Sequence, residues 1–111
     1  MCQAWQAPGY SAEVNPDSPT TLTLAEMRAA IDAVDGRIVG LIAERQRFVV
    51  AAGALKTDEQ AVRAPARVEQ VITKVRAMAE ESGASADVVE AAYRALITAF
   101  IDLEMSHHRG V

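Results

Sequence analysis

The chain has 111 residues, enough for one small hydrophobic core and too few for two. Only 5% of the residues are aromatic and 22 are alanine, a composition that favours helices over a β-sandwich. The net charge of −4 argues against nucleic acid or an anionic membrane as a partner, because phosphate binding needs a surplus of clustered Lys and Arg. Nine of the eleven basic residues are Arg, whose planar guanidinium suits bidentate binding of carboxylates.

We expect no targeting signal at the N-terminus. Residues 1–21 contain no basic residue and no apolar run, whereas a signal peptide needs both. They hold three of the four prolines, and we expect them to form an irregular N-terminal arm, which is flexible or, as the alternative, docked through Trp5 and Tyr10. The single cysteine, Cys2, cannot form an intrachain disulfide, and no apolar run is long enough to span a bilayer. We therefore expect a cytoplasmic protein.

The first predicted helix begins with a capping box formed by Thr23 and Glu26, and Leu22 can pack against Met27 across it. Apolar residues then recur at alternating steps of three and four, which is typical of a heptad repeat. This seam consists of Leu24, Met27, Ile31, Val34, Ile38, Leu41, Phe48, Ala52 and Leu55. It predicts a helix to about Lys56, interrupted only by Gly36, Gly40 and Gly53.

The length of this helix has a consequence for assembly. About 33 helical residues span about 50 Å, whereas a globule of this size is only about 34 Å across. The apolar seam would therefore be exposed to water in a monomer. We expect a second copy of the same chain to cover it.

Two further helices follow a polar link at residues 57–64. Pro65 suits the first position of the second helix, and Gly83 suits the residue after its end. Ser85 can cap the third helix, which we expect to run to about Met105. The apolar faces are Val68, Val71, Ile72, Val75 and Met78 on the second helix, and Val89, Tyr93, Leu96, Ile97, Phe100 and Leu103 on the third. The predicted fold class is all-α, with three helices per chain, one of them very long.

Residues 107–111 are predicted to be a tail. His107 and His108 are neighbours and would point apart on a helix, so they make a poor metal pair, and we expect no metal site.

Charged residues occupy positions where apolar ones are expected. Arg45 interrupts the seam, and a buried guanidinium costs several kcal/mol unless it is paired or binds an anion. Lys56 follows eleven residues later on the same face, about 16 Å along the axis. Glu104 lies at the edge of the third helix's apolar face. Each of these three residues also has a purely structural explanation. Arg45 can set the register of paired helices, Lys56 suits the end of a helix, and Glu104 can form a salt bridge to one of these cations.

Arg28 lies 17 residues before Arg45, about 25 Å along the helix. A small dianion cannot contact both on one straight helix, but it can in an antiparallel dimer. The sequence contains no Gly-rich phosphate loop, no CxxC motif and no Ser or Cys nucleophile with a plausible partner.

Three segments together carry a family resemblance: LAEMRAAIDAVDGRIVGLIAERQRFVVAAGALK, VRAPARVEQVI and ALITAFIDLE. The framework LxxxRxxIDxxDxxIVxLIAER, with a Lys eleven residues after the last Arg, resembles the all-helical (type II) chorismate mutase family. The resemblance covers residues 22 to about 105 and implies a helical domain at 22–106. It further implies an intertwined homodimer with two active sites, each shared by both subunits.

The resemblance also implies an activity and its residues. Arg28 of one subunit and Arg45 of the other would bind the carboxylates of chorismate, Lys56 would donate to the ether oxygen, and Glu104 matches the position of a second ether-oxygen donor. Other positions match residues near the substrate: Arg63, Ala64, Arg67, Val68 and Phe100. Such an enzyme is an isomerase that converts chorismate to prephenate in aromatic amino-acid biosynthesis, without a cofactor or a covalent step.

Several residues depart from the family pattern. Val68 replaces a Glu that holds the ring hydroxyl, Ala64 replaces a capping Asp, and Phe100 replaces a small polar residue. The segment APARV is similar to the isochorismate-pyruvate lyases of salicylate biosynthesis, although those have Gln at the position of Glu104. The mutase is our preferred interpretation and the lyase is the alternative. A helical dimer without enzymatic activity, serving as an interaction module, is the second alternative.

Glu104 leads to a sharper hypothesis. An ionised carboxylate cannot donate a hydrogen bond, so Glu104 must be protonated to act on an ether oxygen. We therefore predict that activity falls as the pH rises.

Overall fold

The computed structural model describes residues 21–108, with side chains through residue 107. It contains four helices in that range: α1 (Leu24–Gly53), α2 (Glu59–Arg63), α3 (Pro65–Ser82) and α4 (Ala86–His108). Residues 21–108 contain no strand, which confirms the all-α prediction and its three main helices. The predicted arm, apart from Thr21, and the end of the predicted tail from Arg109 lie outside the described residues.

Helix α1 begins as predicted. The backbone N–H of Thr23 donates to Oε1 of Glu26 at 2.9 Å, and the N–H of Glu26 donates to Oγ1 of Thr23 at 3.1 Å. These bonds satisfy two helix-end donors and lower the pKa of Glu26, with the backbone bond from Thr23 as the largest cause. The capping-box prediction is therefore confirmed.

The last turn of α1 tightens before the chain leaves it. The N–H of Leu55 donates to the carbonyl of Ala52 at 3.0 Å, and that of Lys56 to the carbonyl of Gly53 at 3.1 Å. Both bonds span three residues instead of four, the spacing of a 3₁₀ turn. The helix proper ends at Gly53, three residues before the predicted end at Lys56.

The apolar seam of α1 is exposed in the single chain. No residue of α1 is buried, and Leu41, Phe48 and Leu55 are 63%, 70% and 84% exposed. The prediction that one chain leaves its own seam in contact with water is confirmed.

Helix α2 was not predicted, since residues 57–64 were expected to form a polar link. Oδ1 of Asp58 caps the new helix by accepting from the N–H of Ala61 at 2.8 Å. Val62 is buried, and α2 packs against α4. The expectation was wrong because five residues are too few to show a helical period.

Ala64 joins α2 to α3 in a left-handed conformation, with φ 35° and ψ 62°. Its N–H donates to the carbonyl of Gln60 at 2.9 Å, which closes α2. Its methyl side chain cannot cap α3, so the N-terminus of α3 has no side-chain cap.

The ends of α3 and α4 follow the predicted signals. Pro65 opens α3, and Gly83 closes it with φ 82° while the N–H of Ala84 donates to the carbonyl of Ala79 at 2.8 Å. Oγ of Ser85 accepts from the N–H of Val88 at 3.2 Å. Helix α4 then continues to His108, past the predicted end at Met105, so the first two residues of the predicted tail are helical.

The core lies among α2, α3 and α4. Its buried apolar residues are Val62, Ile72, Val75, Ala79, Ile97, Phe100 and Met105. Met78, predicted on the buried face of α3, is 52% exposed, and Ala79 is buried instead. Steps of three and four from Ile72 and Val75 lead to Ala79, whereas Met78 falls at the edge of that face.

An ion-pair network on α3 and α4 was missed by the sequence reasoning. Arg94 donates to both carboxylate oxygens of Glu69 at 2.9 and 3.0 Å, and to Glu90 at 2.7 Å. Arg76 donates to Glu90 at 2.7 Å and to Asp87 at 3.0 Å.

These bonds shift the titration of the groups that they join. Hydrogen bonds from Arg94, then Arg76, lower the pKa of Glu90, and a bond from Arg94 lowers that of Glu69. The same bonds raise the pKa of both arginines, for Arg76 chiefly through Asp87 and for Arg94 chiefly through Glu69.

The chain divides into two compact units, the first ending at Arg45 and the second beginning at Gln46, so α1 contributes to both. The first unit carries Arg28 and Arg45 of the predicted site. The second carries the other predicted site residues, from Lys56 to Glu104.

Candidate active site

Lys56 and Glu104 form an ion pair in the second unit. Nζ of Lys56 donates to Oε2 of Glu104 at 2.9 Å, and the two side chains are 28% and 7% exposed. Glu104 lies on α4 beside the buried Met105 and one turn after the buried Phe100, while Lys56 follows the last turn of α1. A carboxylate this buried needs a partner, and the ammonium supplies it.

This pair is the salt bridge that the sequence offered as the structural explanation of Glu104. It also brings together the two groups that the chemical explanation invokes, a cationic donor and a carboxyl group, in a largely desolvated place. Electrostatic interactions there are stronger than at the surface.

Gly53 is a neighbour of this pair that the sequence reasoning treated only as an interruption of the helix. Its backbone faces the carboxylate so closely that a Cβ there would stand 2.8 Å from Oε2 of Glu104. The available signal was a glycine in the last helical turn, three residues before Lys56.

The remaining predicted residues of the second unit lie on α2, α3 and α4 and in the turn between α2 and α3. Arg63 is exposed at the end of α2, Ala64 and Val68 are half-buried, and Phe100 belongs to the core. Exposed Arg67 donates from Nη1 to Oε1 of Gln70 at 2.7 Å.

An open cavity of about 490 Å³ lies along α3. Arg67, Gln70, Thr73 and Lys74 line it. Neither Lys56 nor Glu104 lines this cavity, so it does not include the buried ion pair.

The two arginines of the first unit both lie on α1, Arg28 exposed and Arg45 half-buried. Their separation of 17 residues within one continuous helix corresponds to about 25 Å. The described helix therefore keeps the two guanidinium groups of one chain too far apart to bind one small dianion together.

Within residues 21–107 no three His, Cys, Asp or Glu side chains come together in a way that could hold a metal ion. None of the helices α1 to α4 is both long and apolar enough to cross a membrane.

Comparisons with known proteins identify a family that matches most of the chain. Residues 27–105 match the family described as chorismate mutase type II. The chain is similar to an isochorismate pyruvate lyase from Pseudomonas aeruginosa, with 35% identity over 86 residues. That alignment covers 78% of this chain and 85% of the lyase.

Proposed function

Because this chain belongs to the chorismate mutase type II family, we propose that it is a chorismate mutase, an isomerase of aromatic amino-acid biosynthesis. It would act as a cytoplasmic homodimer on chorismate and yield prephenate. The observation that carries the proposal is the ion pair between Lys56 and the buried Glu104, at 2.9 Å.

The proposed reaction needs hydrogen-bond donors at one oxygen atom. In the pericyclic rearrangement of chorismate the breaking C–O bond gathers negative charge on the ether oxygen. A fixed donor at that oxygen stabilises the transition state more than the ground state. The ammonium of Lys56 has three N–H donors, and the bond to Glu104 leaves two of them for the substrate.

Glu104 supplies the second donor when its carboxyl group is protonated. Lys56 binds Oε2, so we assign the proton to Oε1, from which it is donated to the ether oxygen. Donation from this side chain requires its uncharged form, because an ionised carboxylate has no hydrogen to donate. No nucleophile, metal or cofactor takes part in these steps.

Arg28 and Arg45 bind the two carboxylates of the substrate in this proposal, each arginine coming from a different subunit. The 25 Å between them on one helix supports sharing, since one chain cannot supply both to one ligand. The exposed seam of α1 supports an antiparallel partner helix. Binding both carboxylates holds the conformer in which the reacting carbons meet.

An isochorismate-pyruvate lyase is the second candidate. The similarity to the lyase of Pseudomonas aeruginosa favours it, as does the segment APARV, which places Val68 directly after Arg67. The lyase reaction breaks the same ether bond and releases pyruvate and salicylate, so the donors keep their roles. Glu104, where the lyases have Gln, favours the mutase.

A direct assay separates the candidates. We expect the purified chain to convert chorismate to prephenate, with a higher kcat/KM than for release of pyruvate and salicylate from isochorismate. The opposite ratio would identify the lyase. No turnover of either substrate would reject both and leave a helical dimer without this activity.

The variant Arg45→Ala connects the activity to the proposed site. Loss of a clamp on a substrate carboxylate is expected to lower kcat/KM by about 100-fold or more while the oligomeric state is retained. Arg37→Ala removes an exposed arginine of the same helix and serves as the matched control. A changed oligomeric state with full turnover would instead indicate that Arg45 only sets register.

A further inference from the structure

We propose that Gly53 is a positioning residue for the proposed reaction. Its missing side chain lets the carboxylate of Glu104 lie against the last turn of α1, where it meets Lys56. The inference rests on the proposed function, because it assigns Gly53 a role in placing the two ether-oxygen donors.

The argument starts from a close approach. A Cβ at residue 53 would lie 2.8 Å from Oε2, 3.4 Å from Cγ and 3.5 Å from Cδ of Glu104. A Cβ atom is essentially never found within 3.0 Å of an atom to which it is not bonded, so any other residue here would displace the carboxylate. The displaced oxygen is the one that accepts from Nζ of Lys56 at 2.9 Å.

The backbone conformation of Gly53 does not itself require glycine. Among the described residues only Ala64 and Gly83 have positive φ, so Gly53 has a conformation that any residue can adopt. Glycine also weakens a helix relative to alanine. Gly36 and Gly40, in the same helix, have nothing within 4 Å of an added Cβ. The approach of Glu104 therefore distinguishes Gly53 from the other glycines of α1.

Both members of the ion pair are fixed relative to Gly53. The N–H of Lys56 donates to the Gly53 carbonyl at 3.1 Å, which ties the lysine backbone to this residue. Glu104 is 7% exposed and lies next to the buried Met105, so its carboxylate has little room to retreat. A methyl group at residue 53 would change the direction from which both donors face a substrate.

The first test compares Gly53→Ala with Gly36→Ala, which makes the same chemical change on the opposite side of the helix from the seam. With the substrate that the wild-type chain turns over, we expect Gly53→Ala to lower kcat by about 10- to 100-fold, with KM changed less than about twofold. Gly36→Ala should leave both constants unchanged. The melting temperature should not fall in Gly36→Ala, because alanine is the better helix former, whereas in Gly53→Ala the contact with Glu104 offsets this gain.

The second test measures the steric coupling without any substrate. We expect Gly53→Ala to raise the melting temperature less in the wild type than in a Glu104→Ala background, where no carboxylate meets the new methyl group. The difference should be about 4 °C. Glu104→Val, which also ends short of the Oε2 position, replaces Glu104→Ala if the cavity left by alanine prevents folding.

The outcomes are distinct. The inference is supported if Gly53→Ala raises the melting temperature less in the wild type than in the Glu104→Ala background, and if kcat falls in Gly53→Ala but not in Gly36→Ala. Equal temperature shifts in the two backgrounds, or full kcat in Gly53→Ala, overturn it. Failure of the wild-type chain to turn over either substrate overturns the proposed function, and that result is read from the wild type alone.

Discussion

Ala64 combines two unfavourable backbone features at a single residue. Its φ of 35° lies in the left-handed region, where a Cβ costs roughly 1–2 kcal/mol. It also precedes Pro65, whose ring restricts the residue before it to extended conformations. The turn between α2 and α3 imposes this conformation, since the N–H of Ala64 must close α2 one residue before α3 begins.

Replacing Ala64 with glycine should therefore stabilise the chain. We expect Ala64→Gly to raise the free energy of unfolding by about 1 kcal/mol, because glycine adopts positive φ without the steric penalty. Urea denaturation at one fixed protein concentration measures the change. Ala66→Gly, two residues later inside α3, should instead lower stability by up to about 1 kcal/mol. A loss of stability in both variants would show that Ala64 is not strained.

The role of Glu104 can be tested through the pH dependence of activity. If its protonated carboxyl donates to the substrate, kcat/KM should fall as the pH rises, and Glu104→Gln should flatten that fall because an amide donates at every pH. Rates measured between about pH 5 and 8 test this. Glu81→Gln, on the exposed face of α3, is the control. An unchanged pH profile in Glu104→Gln would remove Glu104 from the ether oxygen.

Among the elements, the sequence predicted those features that depend on neighbouring residues. The capping box of Thr23 and Glu26, Pro65 at the start of α3 and Gly83 at its end act within one helical turn, and all were confirmed. Helix α2 was missed because its stability comes from burying Val62 against α4, a contact between residues distant in sequence.

In the candidate site, too, the sequence predicted what depends on spacing along the chain and missed what depends on the packing of helices. The position of Arg45 in the seam and the spacing to Lys56 could be read from the heptad pattern. The sequence named the ion pair of Glu104 only as one of several possibilities, because its partner is 48 residues away. The close approach of Gly53 to Glu104 depends on how two helices pack, and no sequence period reports that distance.

The ion-pair network between α3 and α4 makes their packing sensitive to acid. The pKa values of Glu69 and Glu90 are lowered from 4.5 in the folded chain, so folding favours their charged forms. This stabilisation is present above the ordinary value of 4.5 and is lost as the pH falls through the lowered values. The network should thus contribute at neutral pH and be lost progressively as the pH falls below 4.5.

Glu90→Gln tests this acid sensitivity, because Glu90 accepts from both Arg76 and Arg94. The variant should be less stable than the wild type at pH 7, and the difference should shrink as the pH falls below 4.5. Thermal melts between pH 7 and pH 3 provide the measurement. Glu81→Gln, which makes the same change on the exposed face of α3, should show no such convergence. A constant difference at all pH values would mean that Glu90 contributes through packing and not through its charge.

At the scale of the whole molecule, the buried residues are unevenly distributed. Every buried apolar residue described belongs to the unit that begins at Gln46, and α1 contributes none. An isolated helix is marginal in water, and most helices in proteins are stabilised by packing of an apolar face. The seam of α1 therefore requires a partner surface, and our proposal assigns that role to α1 of a second copy.

The variant Leu41→Glu tests this assembly, because it places a charge in the middle of the seam. We expect wild-type protein at micromolar concentration to sediment with the mass of two chains, and Leu41→Glu to sediment with the mass of one and to lose turnover. Ala43→Glu makes a similar change on the side of α1 facing away from the seam and should remain a dimer with full activity. A wild-type chain that sediments as a monomer in the presence of chorismate would contradict shared active sites. Arg28 and Arg45 of one straight helix could not then bind the same substrate.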